Sequence, residues 1–232
     1  MIGIIVQLAL SWLIIWLFER KNLAVLGFRP TKSRINHFLI FFLISAIICS
    51  AGFLMKMYFG NNRWHLNPDL TFNLVLSGIW WNIKSVLFEE LIFRGVLLYI
   101  LIKKLGPSKA IIISAIAFGI YHWFSFGVFG NPIQMIIVFF ITGLMGLLLA
   151  YGYAKTFSLY VPVAIHFGWN LTQIFIFSSG PIGNGVLIPS GSGQFSTNSY
   201  FIFGIVTFLP LLMVLGVNWL VIQKFRQGTP ER

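Results

Sequence analysis

An all-α bundle of membrane-spanning helices, about seven of them by the segment count and eight if one long segment breaks, is the fold the sequence predicts. Three observations predict it. Of the 232 residues, 58% are hydrophobic and only 9% are charged, against roughly 25% charged in a soluble domain. Apolar stretches recur along the whole chain, each long enough for the ~20 residues that a helix needs to cross a hydrocarbon core of ~30 Å. Lys and Arg gather at the ends of those stretches, on alternate loops. Helices are expected because backbone groups in lipid must find partners within their own segment. A membrane barrel would instead alternate apolar and polar residues over ~10-residue strands.

In chain order, the apolar segments are 2–18, 35–59, 70–102, 109–126, 133–154, 158–178 and 200–223. The first has no basic stretch before it and no small-residue cleavage site, so it reads as a retained helix and not a signal peptide. The third would form a helix of ~50 Å, longer than a bilayer needs. It must tilt or break; a break near 80–84 would raise the helix count to eight. The stretch 178–199, rich in Gly, Ser, Asn and Pro, reads as an exposed loop. No internal repeat or separate soluble domain is visible, so residues 1–232 read as one integral-membrane domain with a motif core at 85–170.

Charge placement sets an orientation. Arg20, Lys21, Arg29, Lys32, Arg34, Lys103, Lys104, Lys109, Lys155, Lys224, Arg226 and Arg232 fall on one side, 12 of the 16 basic residues. By the positive-inside rule that side is cytoplasmic, which puts the N-terminus outside and the C-terminus inside. The net charge of +11 together with 25 Phe, 8 Trp and 7 Tyr suits nucleic-acid stacking in principle. The position of the cations at helix ends argues instead for topology and for attraction to anionic head groups. The expected partners are the lipid bilayer and a peptide or membrane-protein substrate, with no nucleic acid. The single Cys49 lies in an apolar run, so there is no disulfide framework, no CxxC and no thiolate metal site.

Of five acidic residues, Glu19, Asp69 and Glu231 lie at helix ends or in a tail, whereas Glu89 and Glu90 are adjacent inside an apolar run. A charge near the middle of a membrane helix costs at least ~2.5–3.5 kcal/mol, so such residues are functional candidates. Glu90 and Arg94 stand at i and i+4 and can pair on one helix face. Glu89 points about 100° away from that face, and a carboxyl in apolar surroundings is the kind that serves as a general base near neutral pH. Lys84 snorkels to an interface. His122 and His166 also fall inside spans, with Asn170 one turn after His166. Counted from the cytoplasmic helix ends, Glu89 and His122 lie ~20 Å deep and His166 ~12 Å, which is compatible with one level.

Each residue has a plainer reading. A lone intramembrane His or Asn often serves as interhelical glue, Phe118 reads as packing, and Glu90 with Arg94 as a structural pair. Taken together, Glu89, His122, His166 and Asn170 favour catalysis, since packing would not require a second carboxyl. The chain has no HExxH, no GxSxG around a buried Ser and no Gly-Asp pair. A Ser/His/Asp triad lacks its acid, because Asp69 sits at a helix end. What remains is water activation by Glu89 with His122 and oxyanion stabilisation by His166 and Asn170, a site suited to amide hydrolysis. Zn2+ held by Glu89, His122 and His166, with an open fourth position, is the metal-dependent version; a metal-independent site uses the same residues.

At these positions the chain resembles the CPBP family, the CAAX proteases and bacteriocin-processing enzymes also called Abi proteins. The family pattern EExxxR, FxxxH, HxxxN stands here as Glu89-Glu90-Leu-Ile-Phe-Arg94, Phe118-Gly-Ile-Tyr-His122 and His166-Phe-Gly-Trp-Asn170. The extension EExxFRG is matched as well, through Phe93 and Gly95. The resemblance implies an intramembrane endopeptidase, metallo- or glutamate-dependent. Glu89 and His122 would activate water, His166 and Asn170 would hold the oxyanion, and Glu90, Arg94 and Phe118 would support the site. Members similar to this short chain are bacterial, sit in the cell membrane and are linked to bacteriocin self-immunity or peptide maturation; the eukaryotic branch trims prenylated proteins. Two other readings remain: a non-catalytic membrane immunity or scaffold protein of the same fold, and a transporter with a Glu/His relay, which would show an inverted repeat.

Overall fold

The structure, a computed structural model, describes residues 2–60, 62–191 and 193–230; Glu231 and Arg232, counted above among the charges, lie outside them. Helix α1 spans Ile2–Glu19, and a 3-10 turn follows at Leu23–Leu26. Asn22 caps this turn by accepting from the Ala24 N–H at 2.8 Å, and Gly27 closes it with φ 78°, a left-handed conformation suited to glycine. Then come α2 (Lys32–Phe59), β1 (Trp64–Leu66), α3 (Phe72–Phe93), α4 (Val96–Leu105), α5 (Pro107–Ser125), α6 (Pro132–Thr156) and α7 (Tyr160–Asn170). A π-helical turn, Leu171–Ile176, continues α7, and β2 (Leu187–Pro189) and α8 (Tyr200–Gln223) complete the described elements.

The helical character expected from composition is what the structure has, but the helices are unequal. Four of them, α1, α2, α6 and α8, are long and apolar enough to cross a membrane. Helix α4, with 10 residues, reaches about 15 Å and crosses nothing by itself. Helix α3 is 22 residues long but includes Lys84, Glu89 and Glu90. The long stretch 70–102 does break, though at Arg94–Gly95 and not near 80–84. Gly95 leaves helical geometry with φ −79° and ψ −134°, and a Cβ there would collide with the Leu91 carbonyl. Ser114 of α5 donates to the Phe93 carbonyl at 2.8 Å, supplying a partner for an acceptor that the helix end leaves orphaned.

The chain forms two compact units. The first comprises Met1–Phe38, Leu87–Val163 and Trp219–Arg232, the second Leu39–Val86 and Ala164–Asn218. In the first, Ile15, Leu26, Leu98, Tyr99, Ala150 and Tyr153 are wholly buried in one apolar cluster. The acidic end of α1 is secured there: Tyr99 donates to Glu19 at 2.6 Å, and Lys21 and Lys103 pair with the same carboxylate. Helices α5 and α6 approach closely through small residues, Gly119 against Phe139 and Gly143 against Ala115, the usual device where lipid offers no hydrophobic drive between helices.

In the second unit, Gly52 of α2 faces Pro210 of α8, and Gly78 of α3 admits the ring of Phe175. The stretch 178–199 is more ordered than a bare loop. Strand β2 pairs antiparallel with β1 in the register Trp64↔Pro189, His65↔Ile188, Leu66↔Leu187. Asn67 pins its approach, donating to Asn184 Oδ1 at 2.7 Å and to the Gly185 carbonyl at 2.9 Å. Trp64 seats the sheet by donating to the Phe177 carbonyl at 3.1 Å, while Phe53 stacks on Phe177 at 4.2 Å.

Candidate active site

Four of the first unit's site residues follow from two helical spacings. In the last turn of α3 the i,i+4 interval sets Arg94 Nη1 3.1 Å from Glu90 Oε1, both side chains being fully buried. In α5 the same interval sets His122 above Phe118, and the His122 Nδ1 lies 2.8 Å from the Phe118 carbonyl. A carbonyl only accepts, so Nδ1 carries a proton and in the neutral ring Nε2 presents a lone pair. That Nε2 faces Glu89, 3.8 Å from Oε2. The structure thus brings Glu89 and His122 together from separate helices, with side chains 13% and 8% exposed.

Around this pair the packing is aromatic. The Phe118 ring lies 4.4 Å from the His122 ring, Tyr121 and Phe126 approach His122 edge-on at 5.3 and 5.0 Å, and Phe93 meets Phe118 at 5.1 Å. Arg94 sits behind it with its guanidinium carbon 4.1 Å from the Phe118 ring centroid, a cation–π contact strengthened by the full burial of Arg94. Phe118 therefore anchors His122 by its carbonyl and Arg94 by its ring.

Sequence reading missed Gly146. Its carbonyl accepts from Arg94 Nη2 at 3.1 Å. A Cβ on it would stand 3.0 Å from Phe118 and 3.2 Å from Arg94 Nη2, so any larger residue would push on both. The available signal was Thr142 and Gly146, two small residues four apart inside an apolar helix, a mark of close helix approach.

His166 and Asn170 belong to the second unit and form a pair of their own. Asn170 Nδ2 donates to His166 Nε2 at 3.0 Å, which leaves the ring proton on Nδ1 and a second N–H on the amide. His166 is 6% exposed. The helix around the pair packs tightly on α2: Phe167 contacts Phe42 at 5.6 Å, and a Cβ at Gly168 would press on the Phe42 backbone. Directly after Asn170 the helix widens into its π turn, a local irregularity found often at functional sites.

Among the described residues, no group of three or more His, Cys, Asp or Glu gathers as a metal-ligand cluster. Glu89 and His122 provide two donors, where a catalytic zinc takes three protein ligands. Glu89, His122 and His166 are the residues that would hold a zinc ion, and the mechanism below is derived from the side chains alone.

Apolar spanning helices that enclose a carboxylate–histidine pair define a class, the integral membrane proteins with a polar centre buried among their helices. Within it, residues 71–172 match the model of the family described as Type II CAAX prenyl endopeptidase Rce1-like. The match runs from the start of α3 past Asn170 and bears out the resemblance drawn from the motifs. Comparison with curated proteins and with solved structures gives no match.

Proposed function

We propose that the protein is an intramembrane endopeptidase that hydrolyses a peptide bond of a small peptide precursor or membrane-associated protein. The observation that carries this reading is the facing of Glu89 Oε2 and His122 Nε2 at 3.8 Å in a largely buried, aromatic setting. That gap is too long for a hydrogen bond, but a water ~2.8 Å from each atom would subtend an angle of about 85°, near enough to its own H–O–H angle for it to donate to both.

In the first step, Glu89 takes one proton of this water while His122 Nε2 accepts the other O–H, which aims the oxygen lone pair at the substrate carbonyl. The new C–O bond pushes the carbonyl electrons onto oxygen. His166 and the second Asn170 N–H are assigned the stabilisation of that oxyanion. Collapse breaks the C–N bond, and the proton held by Glu89 passes to the leaving nitrogen, returning the carboxylate. Glu90 and Arg94 neutralise one another and hold the end of α3. The lysine and arginine distribution supports an outside N-terminus and a cytoplasmic C-terminus. The resemblance of the motifs implies a bacterial cell membrane and roles in peptide maturation or bacteriocin self-immunity.

The test compares wild type with Glu89→Gln, expressed at equal levels in a host lacking the native gene, by mass spectrometry of membrane and secreted peptides. New termini made by wild type and absent with Glu89→Gln are expected. Identical peptidomes, with both proteins restoring the same phenotype, would instead establish a non-catalytic scaffold.

A further inference from the structure

The two-stranded sheet of the second unit has no part in the hydrolysis, and its two edges differ. The register is Trp64↔Pro189, His65↔Ile188, Leu66↔Leu187. Beyond it the Ser190 N–H reaches the Arg63 carbonyl at 2.8 Å and the Asn67 N–H reaches the Val186 carbonyl at 2.9 Å. Directly opposed residues of an antiparallel pair alternate between bonded and non-bonded. With 63/190 and 67/186 bonded, Trp64 and Leu66 are non-bonded positions, so their N–H and carbonyl groups point away from β2. Leu187 and Pro189 point away on the other side. Pro189 has no N–H, so the outer edge of β2 carries the residue that blocks further pairing. Strand β1 has neither proline nor lysine. Among the described residues, no hydrogen bond takes up the main-chain groups of Trp64 or Leu66.

The residues around the open edge, Asn62, Arg63, His65, Asn67 and Asp69, are those of an aqueous loop, and an unpaired strand edge is not tolerated against hydrocarbon. Trp64 and Leu66 share one face of the sheet with Leu187. Trp64 and Leu187 pack there on the cluster of Cys49, Phe53 and Phe177, together with Trp169. Leu66 is left 64% exposed, an uncovered apolar side chain on an unpaired strand. The same cluster reaches the His166–Asn170 pair, because Trp169 directly precedes Asn170 and its carbonyl accepts from Cys49 Sγ at 3.7 Å. Phe177, whose carbonyl accepts from the Trp64 indole, stands seven residues after Asn170. That is about 10 Å along a helix, the reach of about three extended residues.

We propose that the open edge of β1 is the docking site for the peptide substrate, which adds as a third, antiparallel strand next to its scissile bond. This rests on the endopeptidase reading above. It narrows the substrate class to chains that extend over about three residues, with no proline at the pairing positions and with an apolar side chain to cover Leu66. Main-chain pairing supplies affinity for any extended chain, and the exposed leucine supplies the preference. A lipid tail would cover Leu66 but has no donor or acceptor for the N–H and carbonyl groups beside it.

The probe is a short peptide of alternating valine and threonine, with lysine at each end and one photo-reactive diazirine side chain. It is mixed in detergent with full-length Glu89→Gln protein, so that binding is read without cleavage. Cross-linking followed by mass spectrometry is expected to mark residues 63–67. A valine that covers Leu66 in an antiparallel strand also turns its own N–H towards Leu66. N-methylation of the valines is therefore expected to lower labelling at least about fivefold, the factor for one lost hydrogen bond, and N-methylation of the threonines to leave it. Leu66→Pro, which removes an outward N–H on the protein side, is expected to match the loss; the two peptides decide if that variant does not fold. Cross-links elsewhere, equal labelling by the two methylated peptides, loss with the threonine form, or a β1-to-β1 cross-link between two copies would overturn the edge assignment and leave the endopeptidase reading standing. Labelling of the edge by a wild type that makes no new termini in cells would keep the docking strand and remove the protease.

Discussion

Arg94 gives one N–H to Glu90 in its own helix and another to the carbonyl of Gly146, 52 residues further along the chain, each at 3.1 Å. A fully buried guanidinium held through its two Nη groups by two elements ties the end of α3 to α6. Removing one member of such a pair strands the other charge. Arg94→Met is therefore expected to destabilise the protein by about 3–5 kcal/mol, whereas Arg94→Met with Glu90→Gln should cost far less, since apolar replacement of whole buried pairs is often neutral. Thermal unfolding in detergent of the two single variants and the double measures the coupling. Additive losses would show that the pair does not act as a unit.

Gly146 leads to a second expectation. A methyl group there would press on Phe118 at 3.0 Å and on Arg94 Nη2 at 3.2 Å. Phe118 holds the His122 ring by its carbonyl, so a displaced Phe118 turns the imidazole away from Glu89. Gly146→Ala is expected to cost about 1–3 kcal/mol, the usual range for overpacking, and to depress cleavage further than this loss of fold explains. Gly143→Ala, whose Cβ would be 3.8 Å from the Ala115 carbonyl, is the matched control and should be near neutral in both assays.

These two positions also mark where sequence reading stops. Glu90 with Arg94, Phe118 with His122 and His166 with Asn170 are each one helical turn apart, so spacing alone brings their side chains together. Nothing local places Gly146 beside Arg94, because their contact depends on how α3, α5 and α6 pack. The break at Gly95 was hidden for a related reason. An apolar run with one glycine reads as continuous; the stop falls at Gly95, whose backbone conformation leaves no room for a Cβ beside the Leu91 carbonyl. The pairing of His65 with Ile188 joins two segments too short and too far apart to carry a strand pattern of their own.

The oxyanion role assigned to Asn170 separates binding from chemistry. Its Nδ2 already donates to His166 Nε2 at 3.0 Å, so the residue both orients the ring and offers a further N–H. Asn170→Ala is expected to lower kcat by about 10²–10³ with little change in KM, the cost typical of losing one oxyanion donor. Asn170→Asp keeps the size but brings a charge that repels an oxyanion, and should be at least as damaging. Steady-state kinetics on a peptide found by the Glu89→Gln comparison provides both constants. A rise in KM at constant kcat would make Asn170 a substrate-binding residue.

Metal removal tests the remaining part of the mechanism. Glu89 and His122 provide two donors at 3.8 Å from each other, and no third His, Cys, Asp or Glu joins them as a ligand group among the described residues. Zinc hydrolases hold their ion by three protein ligands and keep the fourth position for water. A water polarised by the carboxylate and the imidazole alone needs no ion, so dialysis against a chelator is expected to leave most of the activity, and purified protein should contain zinc well below one ion per chain. Loss of cleavage on chelation, reversed by added zinc and absent from His166→Ala protein, would instead make Glu89, His122 and His166 a zinc-ligand set.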